Sequence, residues 1–137
     1  KVFIMRGIGL KLENLDLAVY TDNKWVEFII DQIVVNALKY CDAKQPQIEI
    51  CASQYANSVL LEIKDNGSGV ADNEITRVFD RGFTGSRGRK QTASTGLGLY
   101  LSKQLCNKLN LGLDFKMHQQ QTIVSITFPM NTYNLAD

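Results

Sequence analysis

The sequence predicts a single α/β domain, a sheet backed by helices, and three observations carry that reading. Residues 23 to 40 hold apolar side chains at helical spacing. Two pairs of alternating stretches, 47–52 with 58–64 and 112–118 with 122–128, show the two-residue period of half-buried strands. A second amphipathic helix, Leu97 to Leu109, lies between the pairs. At 137 residues with 45% hydrophobic side chains, the chain has length for one core and not for two. Its motifs are therefore expected to share one site.

The formal net charge of +1 excludes a broad nucleic-acid footprint, so any anion binding is expected to be local. There is no apolar run long enough to span a bilayer, and the N-terminus does not read as a signal peptide. The start at Lys1, within strand-like or linker sequence, reads as an excised piece of a longer protein. Cys41, Cys51 and Cys106 are odd in number and form no Cys-x-x-Cys, which favours reduced core thiols over disulfides. His118 is the only histidine and lies far from any cysteine pair, against a zinc site.

In chain order, residues 8–12 and 17–21 alternate briefly and are expected to be short strands, with Asp22 capping the helix that follows. That helix should turn Trp25, Phe28, Ile29, Ile33, Ala37 and Tyr40 inward. Gln32, Asn36, Lys39 and Tyr40 run along one edge of it, either as a polar border or as ligands: an amide oxygen for a hard cation, an ammonium for phosphate, a ring for a base. The strand pair 47–52 and 58–64 reads as a hairpin ending at Asp65-Asn66-Gly67-Ser68-Gly69-Val70, a carboxylate followed by a turn with two glycines. A short helix is expected over 74–79, capped by Asp72 or Asn73.

Residues 80 to 95 are too polar and too long for a simple connector and read as a lid, with Arg81, Arg87, Arg89 and Lys90 concentrating positive charge. The lid ends at Ser94-Thr95-Gly96-Leu97-Gly98-Leu99, where a Gly-x-Gly opens a helix expected to turn Leu97, Leu101 and Leu105 inward. A helix start stripped of side chains offers backbone N–H groups to an anion. Either glycine turn alone is weak. Together, within forty residues, they suggest one pocket whose carboxylate reads a ring N–H or amino group and whose amides read phosphate.

These motifs, in this order, resemble the catalytic and ATP-binding domain of sensor histidine kinases, within the GHKL class that includes gyrase, heat-shock chaperone and mismatch-repair ATPases. Gln32 to Tyr40 is similar to the N box, Asp65 to Val70 to the G1 box, Val78 to Gly82 to the F box and Gly96 to Leu99 to the G2 box. The resemblance implies a two-layer α/β sandwich, the Bergerat fold, with a mixed sheet packed on three helices. It implies ATP and Mg²⁺ as ligands, with Asn36 on Mg²⁺, Lys39 on phosphate and Tyr40 beside adenine. Asp65 would accept the adenine amino hydrogen, Gly67, Gly69 and Val70 would shape the base pocket, and Phe79 and Arg81 would belong to the lid. Thr95, Gly96, Leu97, Gly98 and Leu99 would wrap the phosphates, and Thr122 would lie near the adenine edge, although Gln121 stands where the family usually has glycine.

The same resemblance implies a cytoplasmic domain of a membrane-anchored dimer whose partners are its own dimerisation domain, which carries the phosphoacceptor histidine, and a response regulator. The lid sequence Phe79 to Gly85 is similar to that of envelope-stress kinases of low-GC Gram-positive bacteria. Gln32 stands where ATP-hydrolysing GHKL members carry a glutamate base, and an amide cannot take the proton. Two alternatives stay open: a protein-serine kinase of the anti-sigma type, and a nucleotide-binding interaction module without catalysis.

Overall fold

A computed structural model describes residues 9–13, 23–40, 44–84 and 96–129. The expected strand at 17–21, the Asp22 cap, Cys41, and Thr95 with most of the lid lie outside these residues. The order of elements is β1 (Gly9–Glu13), α1 (Asn23–Tyr40), β2 (Gln47–Gln54), β3 (Ser58–Asp65), a 3-10 helix (Asp72–Arg77), α2 (Gly98–Lys108), β4 (Gly112–His118) and β5 (Gln121–Pro129).

Among the described residues five strands form one mixed sheet in the order β1-β2-β3-β5-β4, with β1 parallel to β2 and the other neighbours antiparallel. Antiparallel partners directly opposite each other point to the same face. The register therefore stacks the inner face in rows: Leu61, Ile126 and Leu113 in one, then Ile50, Ile63, Val124 and Phe115, then Ile48, Asp65, Thr122 and Met117 at the end of the sheet. Val26, Ile29, Ile33 and Ala37 of α1 cover the apolar rows at spacings of three and four, and Cys106 of α2 and Leu111 complete the core. Burial of each large aliphatic side chain contributes roughly 2 kcal/mol. The end row, with its carboxylate and hydroxyl, lies where this cover gives out.

Helix α2 ends in a left-handed residue, Asn110 at φ 59°, with Leu111 N–H donating to Cys106 O (2.8 Å) and Asn110 N–H to Asn107 O (3.4 Å). These two bonds take up carbonyls that the helix end leaves open, and buried Leu111 brings the chain back to the core.

Three expectations need correction. The short helix at 74–79 is a 3-10 helix over Asp72–Arg77, with Ala71 rather than Asp72 or Asn73 at its cap position and Glu74 Oε1 accepting from Ala71 N–H. Six residues are too few for α-helical bonds to outweigh their nucleation cost, so the tighter form prevails. Leu101 is 42% exposed because the buried stripe of α2 is phased on Ser102 and Cys106, leaving Leu101 one residue out of step. Trp25 is likewise 43% exposed, one position before buried Val26.

The β4–β5 hairpin turns through Gln119 and Gln120, both at positive φ (50° and 65°), a conformation glycine adopts far more readily than glutamine. Gln120→Gly is expected to stabilise the chain by about 1 kcal/mol, read as a higher urea midpoint at unchanged slope.

Candidate functional site

At the exposed end of the inner face, the last row of the sheet, the C-terminal half of α1 and the start of α2 enclose a cleft. It holds about 890 Å³ of free space, open solvent at its mouth included. Asp65, Gly69, Val70 and Thr122 line one part of it, Gln32, Asn36, Lys39 and Tyr40 a second, and Gly96, Gly98 and Leu99 a third. The polar edge of α1 and both glycine turns thus meet in one place.

Residues 65 to 68 of the Asp65 turn are each tied down by a hydrogen bond. Asp65 Oδ1 accepts from Gly67 N–H at 2.8 Å. The Asn66 amide donates to Gln45 O at 2.7 Å and accepts from Gln47 N–H at 3.0 Å, which fastens the turn to the entry of β2. Ser68 N–H donates to Tyr40 O at 3.2 Å, docking the turn on the C-terminus of α1. Only glycine fits at position 67, since a Cβ there would come within 1.8 Å of Tyr40 O. An asparagine-glycine turn that is locally commonplace is here the joint between sheet and helix.

Asp65 is 5% exposed, and burial raises its carboxyl from 3.8 to about 6, against the opposing pull of the Gly67 N–H. At neutral pH it is mainly ionised, an acceptor aimed at the cleft. Beside it, Thr122 pairs with Asp65 across β3 and β5 and is equally buried.

The other wall is built on backbone. Gly82 N–H donates to Gly96 O at 3.1 Å, and a Cβ on Gly96 would fall 2.4 Å from the Gly82 carbonyl carbon, so the two strands of chain cross at van der Waals contact. Leu97, at the cap position of α2, makes no side-chain cap, which leaves the helix start to its backbone N–H groups and partial positive charge. Gln32 Oε1 lies 2.8 Å from where a Gly98 Cβ would stand, so a side chain at 98 would displace the amide.

Among the expected site residues, Gly67, Phe79, Arg81 and Leu97 do not line the cleft. Gly67 acts behind it, as described. Phe79 packs against the core, with Lys103 Nζ 5.4 Å from its ring centre, and Arg81 is exposed. Val78 and Phe83 line the cleft instead, because the turn over residues 80–82, with Gly82 at φ 76°, reverses the chain between the two phenylalanines. Arg77 stands 5.3 Å from the centre of the Phe83 ring. Val35, Thr84 and Phe115 complete the lining that sequence reasoning missed. Val35 had a signal: 46% exposed, it is the apolar member of the Gln32–Asn36–Lys39 edge, out of phase with the core stripe.

A sequence profile of the family described as histidine kinase-, DNA gyrase B-, and HSP90-like ATPase matches residues 21–132. The chain belongs to this family. It is 37% identical over 128 residues to the sensor protein BceS of Bacillus subtilis, covering 93% of this chain and 38% of BceS. It is 41% identical over 113 residues to the sensor histidine kinase GraS of Staphylococcus epidermidis, covering 82% of this chain and 32% of GraS. The chain thus spans between 32 and 38% of the length of these two curated relatives. The solved mycobacterial sensor histidine kinase MprB superposes with a TM-score of 0.83 at 24% identity, over 93% of this chain and 88% of that one, which shows a shared fold. ATP binding goes with this ATPase family. No helix among the described residues is long and apolar enough to cross a membrane.

The raised Asp65 carboxyl has a consequence for stability. Between about pH 4 and pH 6 the folded chain keeps a proton that the unfolded chain has lost, so stability falls as pH rises through that window. The full cost, about 3 kcal/mol as an upper bound, is present above it. Relative to wild type, ligand-free Asp65→Asn is therefore expected to gain stability between pH 4 and pH 8, measured as the change with pH in the difference of denaturation free energies.

Proposed function

We infer that this chain is the ATP-binding catalytic domain of a sensor histidine kinase. It holds Mg-ATP and donates the γ-phosphoryl group to a histidine on a dimerisation domain outside the chain. The observation that carries this reading is that buried Asp65 and the glycine-rich start of α2 open on the same cleft, in a chain similar to proteins named sensor kinases.

In this reading Asp65 accepts the adenine amino hydrogen and Tyr40 packs beside the base. Gly69 and Val70 shape its pocket, with Gly67 fixing the turn behind them. The N–H groups of Gly96, Leu97, Gly98 and Leu99 hold the phosphates, aided by Lys39 and, from the segment after Phe83, by Thr95. Arg81, exposed and outside the cleft lining, has its role in the lid in this reading. The Asn36 amide oxygen is a hard donor suited to Mg²⁺. Among the described residues there is no cluster of three His, Cys, Asp or Glu that could hold a metal ion. Held there with the nucleotide, Mg²⁺ would supply charge neutralisation to the polyphosphate.

Phosphoryl transfer asks the protein mainly for positioning and charge stabilisation. Gln32 lines the cleft where a hydrolytic member of the class has a general base, and an amide takes no proton from water. ATP is therefore held without rapid hydrolysis until an acceptor arrives. The acceptor is not His118, which is exposed at the end of β4 and does not line the cleft. The whole protein, in this proposal, is membrane-anchored and dimeric through segments beyond this chain, with this domain in the cytoplasm and a response regulator as the next phosphate acceptor.

Calorimetry with Mg-ATP is expected to show binding by the chain, and Asp65→Asn to weaken it by about 10-fold or more. Unchanged affinity in that variant overturns the adenine assignment. Alone, the chain is expected to leave itself unphosphorylated, and acid-labile phosphate should appear when it is mixed with the dimerisation helices of its own full-length protein. Acid-stable phosphate on a partner points to the serine-kinase alternative. Gln32→Glu is expected to add slow ATP hydrolysis, and rapid turnover by wild type overturns the argument from the missing base.

A further inference from the structure

The Thr122 hydroxyl has a partner the nucleotide-binding reading leaves unused. Thr122 Oγ1 donates to Met117 Sδ at 3.4 Å, across the β4–β5 ladder where the two residues are direct partners. A thioether has no proton to give, so within this pair the hydroxyl is the donor and its lone pairs are left for other groups. Asp65, the direct partner of Thr122 on its other side, is an acceptor as well. Both residues line the cleft and Met117 does not. The methionine also reaches the turn, since a Cβ on Gly69 would stand 2.3 Å from Met117 Cε and 3.1 Å from Thr122 Oγ1.

We propose that Met117 is a positioning residue for nucleobase selectivity: by taking the Thr122 proton it makes the floor of the cleft an all-acceptor surface that selects a 6-amino over a 6-oxo purine. This rests on the reading of the cleft as a nucleotide site. An exocyclic amine brings two hydrogens to two neighbouring acceptors, whereas a 6-oxo purine puts an oxygen at that place and carries its one edge hydrogen on N1, so at least one acceptor faces the oxygen unpaired. A hydroxyl free to rotate would donate to that oxygen and blunt the discrimination. Built to hydrogen-bond one edge chemistry, a desolvated site rejects an analogue that leaves its polar groups unpaired.

The test compares Mg-ATP with Mg-ITP, the same nucleotide with oxygen in place of the 6-amino group and a hydrogen on N1, by calorimetry on this chain. Met117→Leu keeps the volume beside Gly69 and removes the sulfur acceptor. It is expected to lower the ATP-to-ITP affinity ratio by about 3- to 10-fold, with the thermal midpoint close to that of wild type. Thr122→Val should lower the ratio similarly, and adding Met117→Leu to it should change the ratio no further, because the methionine acts through the hydroxyl. A wild-type ratio in Met117→Leu, with ATP still bound, overturns this inference and leaves the nucleotide site standing. Equal weakening of both nucleotides also overturns it, since that is the mark of packing alone. Failure of wild type to bind either nucleotide overturns the site reading and this inference with it.

Discussion

A carboxylate withdrawn from water at the end of a sheet is the constraint around which this molecule is arranged. Strand pairing alone would bury Asp65 beside Thr122 in the last inward row, and the apolar rows behind it keep that row fixed. One backbone N–H from Gly67 only partly offsets the lost hydration, which is why the carboxyl sits near 6. The core tolerates the penalty because its own rows, Ile50 to Phe115 and Leu61 to Leu113, are apolar throughout. A buried carboxylate that accepts one backbone N–H has lone pairs left for a donor from outside, and the cleft opens on that group.

Helix α1 coordinates the two recognition devices. Its last residue, Tyr40, holds the Asp65 turn through its carbonyl, while Gln32, two turns earlier, abuts Gly98 at the start of α2. Eight residues of helix span about 12 Å. One rigid rod thus sets the separation between the Asp65 carboxylate and the backbone amides at the start of α2, the two groups proposed to read base and phosphate. The inward stripe of α1, Val26 to Ala37, anchors that rod on the sheet. Packing and the cleft therefore use adjoining faces of a single helix.

Much of this arrangement is legible in the order of amino acids. The two-residue period of β2, β3, β4 and β5 assigns their faces, and the helical spacing of residues 23–40 assigns the core side of α1. The polar edge from Gln32 to Tyr40 and the two glycine turns identify most of the cleft, because each departs from what packing alone would select. What escapes the sequence depends on relations between elements. Which of Phe79 and Phe83 faces the cleft turns on the reversal at Gly82, and the phase of Leu101 on where α2 begins. Phe115 and Met117 enter through strand register, and the 3-10 character of residues 72–77 is a balance of small energies in a short segment.

The crossing of Gly82 and Gly96 has an evolutionary corollary. Two points of the chain separated by thirteen residues are pinned by one hydrogen bond and a contact that excludes any side chain. The entropy of closing a loop rises only with the logarithm of its length. Because of that slow rise, inserting or deleting a few residues between the two glycines changes the cost of closing them together only slightly, while the crossing itself admits no substitution at Gly96.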